Sequence, residues 1–239
     1  MSRLQYLPLD LPHFSILAVI FFVLIIWIEV QAFRIAYLHL GLGPHVALLL
    51  LLASLIGSYL NIPVARLPGR QVLSGEAVAF FGMRYVIPVV VNSPGTVIAV
   101  NVGGAVIPGL LSLYLLARNG LWIRGILAIA IVTVVCHALA HPIPGLGIAL
   151  PVFVPPLSAA AVALLLSRRH AGPLAYISGS LGALIGADLL NLGNIQGLHA
   201  PVASIGGAGT FDGIFLTGVL AVLIASIFGP PPRSRARSP

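Results

Sequence analysis

Lysine is absent from this chain, the acids number five and cysteine occurs once. Charged residues make up only 7% of the 239, against 59% hydrophobic, whereas a soluble domain is about a quarter charged. That shortage leaves no stretch for a soluble domain. One thiol, Cys136, excludes an internal disulfide framework and reads as a small buried apolar residue. Phosphate loops, dinucleotide fingerprints and haem or cluster spacings are also missing, so no cofactor is expected. Nor does the first apolar run, Phe14 to Ile28, look like a cleavable leader. It continues through Glu29 and Arg34 to Tyr37 without a small-residue cleavage site, and reads as a retained first span.

What the chain has is apolar runs near twenty residues, the length needed to cross a hydrocarbon core about 30 Å thick. Breaks at Gly, Pro, Asn and Arg place spans at 14–38, 45–61, 73–91, 97–117, 122–140, 148–167, 174–192 and 204–228. The expectation is an all-α polytopic transmembrane bundle of about eight spans. Residues 1–239 form one integral membrane domain, with a basic tail at 229–239.

The net charge of +7 comes from arginine. With these spans, Arg3, Arg66, Arg70, Arg118, Arg124, Arg168, Arg169, Arg233, Arg235 and Arg237 all fall on one side. The opposite loops, around Gly41, Ser93, Pro144 and Gly197, hold none. The positive-inside rule then puts both termini in the cytoplasm of a cell inner-membrane protein. The tail from Pro230 to Pro239 reads as topogenic or as a contact for lipid headgroups, which makes membrane lipid the expected partner and nucleic acid not one.

Laid on itself with a shift of about 104 residues, the chain matches Gly41-Leu42-Gly43 to Gly145-Leu146-Gly147, Ser74-Gly75 to Ser178-Gly179, and Gly82 to Gly186. After a one-residue slip, Gly103-Gly104-Ala105 meets Gly206-Gly207-Ala208. This points to tandem duplication of a four-span unit, 14–117 and 122–228. An even number of spans keeps the two copies parallel, related by an axis along the membrane normal. The paired glycines either allow close helix packing or open the helix toward a cavity.

Ionisable groups in hydrocarbon cost at least a few kcal/mol each, so those retained should face one another or water. Arg34, Arg84, His137, Asp188 and Asp212 fall in the outer half of the bilayer and are candidates for one polar site. The repeat places Arg84 opposite Asp188, suggesting an ion pair that either serves the site or fixes helix register. His137 and His141 sit four apart near the outer end of one helix, hence on the same face, a spacing compatible with a metal ion whose third ligand would come from Asp188 or Asp212; ordinary interfacial histidines fit as well. Two close carboxylates, Asp188 and Asp212, would share a proton and activate water.

Two resemblances follow. Gly207-Ala-Gly209-Thr-Phe-Asp212, with Gly186-Ala-Asp188 before it, resembles the Gly-x-Gly-Asp motif of intramembrane aspartyl proteases. Thr210 and Phe211 interrupt that motif, and the arginine pattern puts these aspartates toward the outer side. The stretches Asn101-Val-Gly-Gly-Ala-Val-Ile-Pro108, Ile185-Gly-Ala-Asp-Leu-Leu-Asn191 and Ser204-Ile-Gly-Gly-Ala-Gly-Thr-Phe-Asp-Gly-Ile-Phe-Leu216 resemble the bacterial and archaeal membrane proteins of domain-of-unknown-function family 1614. That likeness runs over residues 40 to 228 and implies a multi-pass membrane protein, with no activity attached.

Three functions remain open. A proton-coupled carrier for a small solute or ion would use Asp188 and Asp212 for the proton or cation and Arg84 for a counter-charge. Asn101, Asn191 and Asn194 would then supply polar contacts. An intramembrane protease would use Asp188 and Asp212 as a catalytic dyad on a membrane-protein substrate. A structural or assembly subunit would need neither.

Overall fold

The computed structural model describes residues 11–80, 83–93, 95–143, 147–198, 202–207 and 213–229. Among them seven α-helices dominate: α1 (Leu11–His39), α2 (Pro44–Gly57), α3 (Ile107–Asn119), α4 (Trp122–Leu139), α5 (Val154–Leu166), α6 (Ala171–Ala183) and α7 (Gly213–Phe228). Proline occupies the first turn of α2, α3 and α5, where its missing N–H has no partner to lose. Gly120, at φ 60°, closes α3 in the left-handed conformation.

Four helical stretches are long and apolar enough to cross a membrane: His13–His39, Val102–Asn119, Trp122–Leu139 and Arg168–Asn194. Three shorter apolar helices accompany them. Apolar side chains from Phe14 to Ile28 are exposed on every face of α1, a surface suited to lipid rather than water. Only its last turns, through Ala36 and Tyr37, enter the core, together with Leu40 just beyond it.

The fold is not all-α. Strands β1 (Asn61–Leu67), β4 (Thr96–Asn101) and β7 (Val202–Ile205) form one sheet in the order β1-β4-β7, with β1 antiparallel and β7 parallel to β4. Strands β2 (Arg70–Phe80) and β3 (Met83–Ser93) form a hairpin, and β5 (His141–Ile143) pairs with β6 (Gly147–Ala149). The span expected at 73–91 is therefore an antiparallel ribbon. Its sequence explains why: Tyr85-Val-Ile-Pro-Val-Val-Val91 is β-branched almost throughout, and Pro88 would break a helix at its centre.

This substitution of ribbon for helix changes the topology. Leu67 pairs with Thr96 and Arg70 with Ser93, so the segment returns to where it left. The connections before it therefore lie at the opposite end of the bundle from the one expected. Arg118 Nη1 donates to the Gly41 carbonyl at 3.1 Å, and a Cβ on Gly172 would lie 3.0 Å from the His39 carbonyl oxygen. A Cβ on Gly229 would lie 3.8 Å from that of Ala171.

The end of α1, the start of α2 and the connections α3–α4 and α5–α6 thus share one end with the close of α7. Arg118, Arg124, Arg168 and Arg169 mark this basic end. Gly41 was expected opposite the arginines and lies among them, while Arg66, expected with them, sits on β1 in the sheet at the other end. A repeat of four helices per half is not seen either, since the ribbon stands where the second half has α6. What does recur is strand, glycine pair, helix: β4, Gly103-Gly104, α3, then β7, Gly206-Gly207, ahead of α7.

Glycines set the closest helix contacts. A Cβ on Gly186 would lie 2.5 Å from the Thr133 carbonyl oxygen and 2.9 Å from Cys136 Cβ, so α4 meets the end of α6 backbone to backbone. Gly186→Val is expected to cost about 1–3 kcal/mol, as overpacking does, and to lower the unfolding temperature in detergent. Gly43→Ala, where nothing lies within 4 Å, is the matched control and should leave it unchanged.

Candidate functional site

The local chemistry of the site begins where regular helices give way. Residues Val102–Val106 form a π-helical turn leading into α3, and Leu184–Asp188 form another at the end of α6, followed by a 3₁₀ stretch, Leu189–Leu198. Such turns are rare and free backbone groups from the regular ladder. Each is tied down by an asparagine. Asn101 Oδ1 accepts from Gly104 N at 2.9 Å, while its Nδ2 donates to the Ser58 carbonyl at 2.8 Å and to Asn61 Oδ1 at 3.2 Å. Asn191 Nδ2 donates to the carbonyls of Gly186 and Ala187 at 3.1 and 2.9 Å.

Between these breaks, at the sheet end of the bundle, lies a cavity of about 730 Å³. This is within the range of small-molecule sites. Ser58, Asn61, Asn101, Asp188, Ser204 and Thr217 supply its polar side chains. Asn61 Oδ1 is a shared acceptor, taking Ser204 Oγ at 2.6 Å as well as Asn101 Nδ2. Asn101 and Ser204 precede the two glycine pairs at equivalent positions, so the recurring motif contributes one polar group from each copy. On the facing side, Asp188 Oδ2 accepts the Gly206 N–H at 2.7 Å. Gly206 has φ 83°, and a Cβ there would lie 2.7 Å from Ala105 Cβ. A side chain at this position would be strained and crowded at once.

Among the residues expected to form the site, Asp188 and Asn101 come together at the cavity. Asn191 and Asn194 do not line it. Asn191 stands behind, holding the freed carbonyls, and Asn194 Nδ2 donates to Asn191 Oδ1 at 3.1 Å. His137 Nδ1 lies 3.3 Å from the Gly186 carbonyl oxygen and 3.4 Å from Asn191 Nδ2.

The two-histidine face does not form, because α4 ends at Leu139 and His141 belongs to β5. Pro142 is the cause, steering the residue before it into extended backbone. Arg34 stays on the exposed surface of α1. Arg84 lies on β3 opposite Ala79, with its side chain outside the described set, and Asp212 also lies outside the described residues. The Arg84–Asp188 pair and the Asp188–Asp212 dyad therefore rest on groups beyond that set. Among the described residues no three His, Cys, Asp or Glu side chains gather as a metal site.

Sequence reasoning passed over Asn61, Ser58 and Ser204. Ser204 carried a usable signal, being the repeat counterpart of Asn101. Asn61 carried none, since a lone asparagine after an apolar run reads as an ordinary helix end.

A family model matches residues 55–224, described as Protein of unknown function (DUF1614). The chain belongs to this family. The match spans the described residues lining the cavity, from Ser58 to Leu220, and leaves α1 entirely outside. No curated protein and no solved structure matches the chain.

Proposed function

We propose that the protein is an integral membrane carrier for a small solute or ion, with the Asp188 cavity as its binding site. The observation that carries this reading is the position of the cavity at two interrupted chain segments, where strand, glycine pair and helix meet. Extended backbone at membrane depth is tolerated where it is buried or lines a cavity, and carriers place their sites at such interruptions. Asn101 and Ser204 come from the two copies of the motif, which supports a parallel duplication reduced to these broken segments.

The basic end faces the cytoplasm of a cell inner membrane under the positive-inside rule. The cavity then lies in the outer half of the bilayer. Asp188, together with Asp212, carries the coupling proton or cation; Arg84 balances their charge and Asn101 fastens the polar wall beside them. Asn191 and Asn194 hold the backbone behind the site.

The test is solute-dependent proton movement in proteoliposomes, followed with a lumenal pH dye across panels of amines, inorganic cations and organic anions. At least one class should drive a proton flux that Asp188→Asn abolishes. Absence of flux for every class, or an undiminished flux in both Asp188→Asn and Asp212→Asn, sinks the carrier reading. Cleavage of a membrane substrate that either variant abolishes would put the protease in its place.

A further inference from the structure

We propose that the basic end of the bundle binds the phosphate of an anionic glycerophospholipid of the surrounding leaflet, through Arg118 and Arg124 on one connection and Arg168 and Arg169 on another. This surface is separate from the cavity and does not depend on what the cavity holds. The connections 118–124 and 167–171 carry these four arginines and no acid. All five acidic side chains of the chain belong elsewhere. Glu29 is well inside α1, Glu76 is on β2 and Asp188 is in the π-turn at the sheet end, while Asp10 and Asp212 adjoin in sequence the ends of α1 and α7 remote from the arginines. The chain therefore supplies no acidic side chain there as a counter-charge.

Arg124, Arg168 and Arg169 are exposed and, among the described residues, hold no hydrogen bond or ion pair. Arg124 stands in the first turn of α4, where the helix dipole disfavours a cation and favours an anion. Arg118 is held in place: its Nη1 donates to the Gly41 carbonyl at 3.1 Å and to Tyr114 Oη at 3.2 Å, with the guanidinium 5.7 Å from the centre of the Tyr114 ring. A guanidinium fork matches two phosphate oxygens at once. α6 is buried almost throughout, with α3, α4 and α5 packed around it. Neighbouring helices stand about 8–10 Å apart, so the two connections flank one patch of headgroups. Apolar side chains beside the arginines choose between a lipid and a soluble phosphate. Trp122 and Ile123 adjoin Arg124 and Leu165 comes just before Arg168, all three exposed. A soluble anion would leave them bare, whereas a phospholipid covers them with its glycerol and acyl chains as its phosphate meets the guanidiniums.

Trp122 is the reporter. In a Trp27→Phe background it is the only tryptophan. Its fluorescence in the full chain is measured in phosphatidylcholine bilayers containing phosphatidylglycerol brominated near the glycerol end of its chains, against brominated phosphatidylcholine in the same proportion. The anionic lipid should associate beside Trp122 about fivefold more strongly, the factor that one arginine contributes near an anionic surface. Arg124→Gln with Arg168→Gln, which keeps one arginine on each connection, should bring the two lipids close to parity. Should that variant fail to fold, Arg124→Gln alone should still lower the preference severalfold. Arg233→Gln, Arg235→Gln and Arg237→Gln together remove more charge from the tail and should leave it unchanged. Equal quenching by the two lipids, a preference that survives the loss of Arg124 and Arg168, or one that the tail variant removes overturns the proposal. So does a preference abolished by inorganic phosphate but not by chloride at equal ionic strength, which would assign the arginines to a soluble anion.

Discussion

Asn101→Leu should destabilise the chain severely. The side chain is 2% exposed and its amide serves three partners at once: the Gly104 N–H, the Ser58 carbonyl and Asn61 Oδ1. Leucine is close in size and satisfies none of them. Each polar group left unpaired in a buried position costs about 1–3 kcal/mol, so a total of roughly 3 kcal/mol or more is expected. The π-turn leading into α3 loses its cap, and β1 loses the side-chain bond from Asn101 to Asn61 that reinforces its backbone pairing with β4. Asn194→Ala removes one bond at an exposed position and should change stability by no more than about 0.5 kcal/mol. Detergent or nanodisc unfolding curves of the two variants, run side by side, decide the matter. Similar losses in both would show that the asparagine at the glycine break is not the fastening described here.

The second large effect is all or none. In a Cys136→Ala background, Gly43→Cys places a thiol where nothing crowds it and Tyr59→Cys places one at an 89% exposed position. The bonds that hold Gly41 to Arg118 put the first of these at the basic end, and the chain passes through α2 to reach the second. A membrane-impermeant thiol reagent should therefore label residue 59 in intact cells and residue 43 only after the membrane is opened. An eight-span bundle with a helix at 73–91 gives the opposite pattern, because its 40–44 connection is outside. The two outcomes separate the ribbon from the helix without resolving either directly.

That contrast also shows how far residues alone carry the fold. Apolar length sufficed for α1 and α4, whose expected limits of 14–38 and 122–140 lie within a few residues of Leu11–His39 and Trp122–Leu139. The same criterion failed at 73–91. A continuous apolar run has no polar face, and without one the period of a helix and that of a strand look alike. The β-branched residues around Pro88 were the discriminating signal, and hydropathy is blind to them.

The arginine sorting then inherited the error, since one false crossing inverts every connection before it. At the site, Asp188 and Asn101 were legible because polar residues beside glycine in an apolar run are conspicuous. The sharing of Asn61 by Asn101 and Ser204 was not, because it joins residues 40 and 143 positions apart in the chain.

The carrier account stands on whether the cavity opens alternately to the two sides of the membrane. Ala203 lines it from β7 without taking part in the Asn61, Asn101 and Ser204 bonds, so Ala203→Cys in the Cys136→Ala background reports access while leaving the polar groups intact. Proteoliposomes sorted to one orientation would be labelled with an impermeant reagent from outside and, separately, from the lumen, with and without a proton gradient. The account predicts labelling from either side, with the favoured side reversing when the gradient is reversed. Labelling confined to one side and indifferent to the gradient would contradict it, leaving the cavity as a fixed pocket.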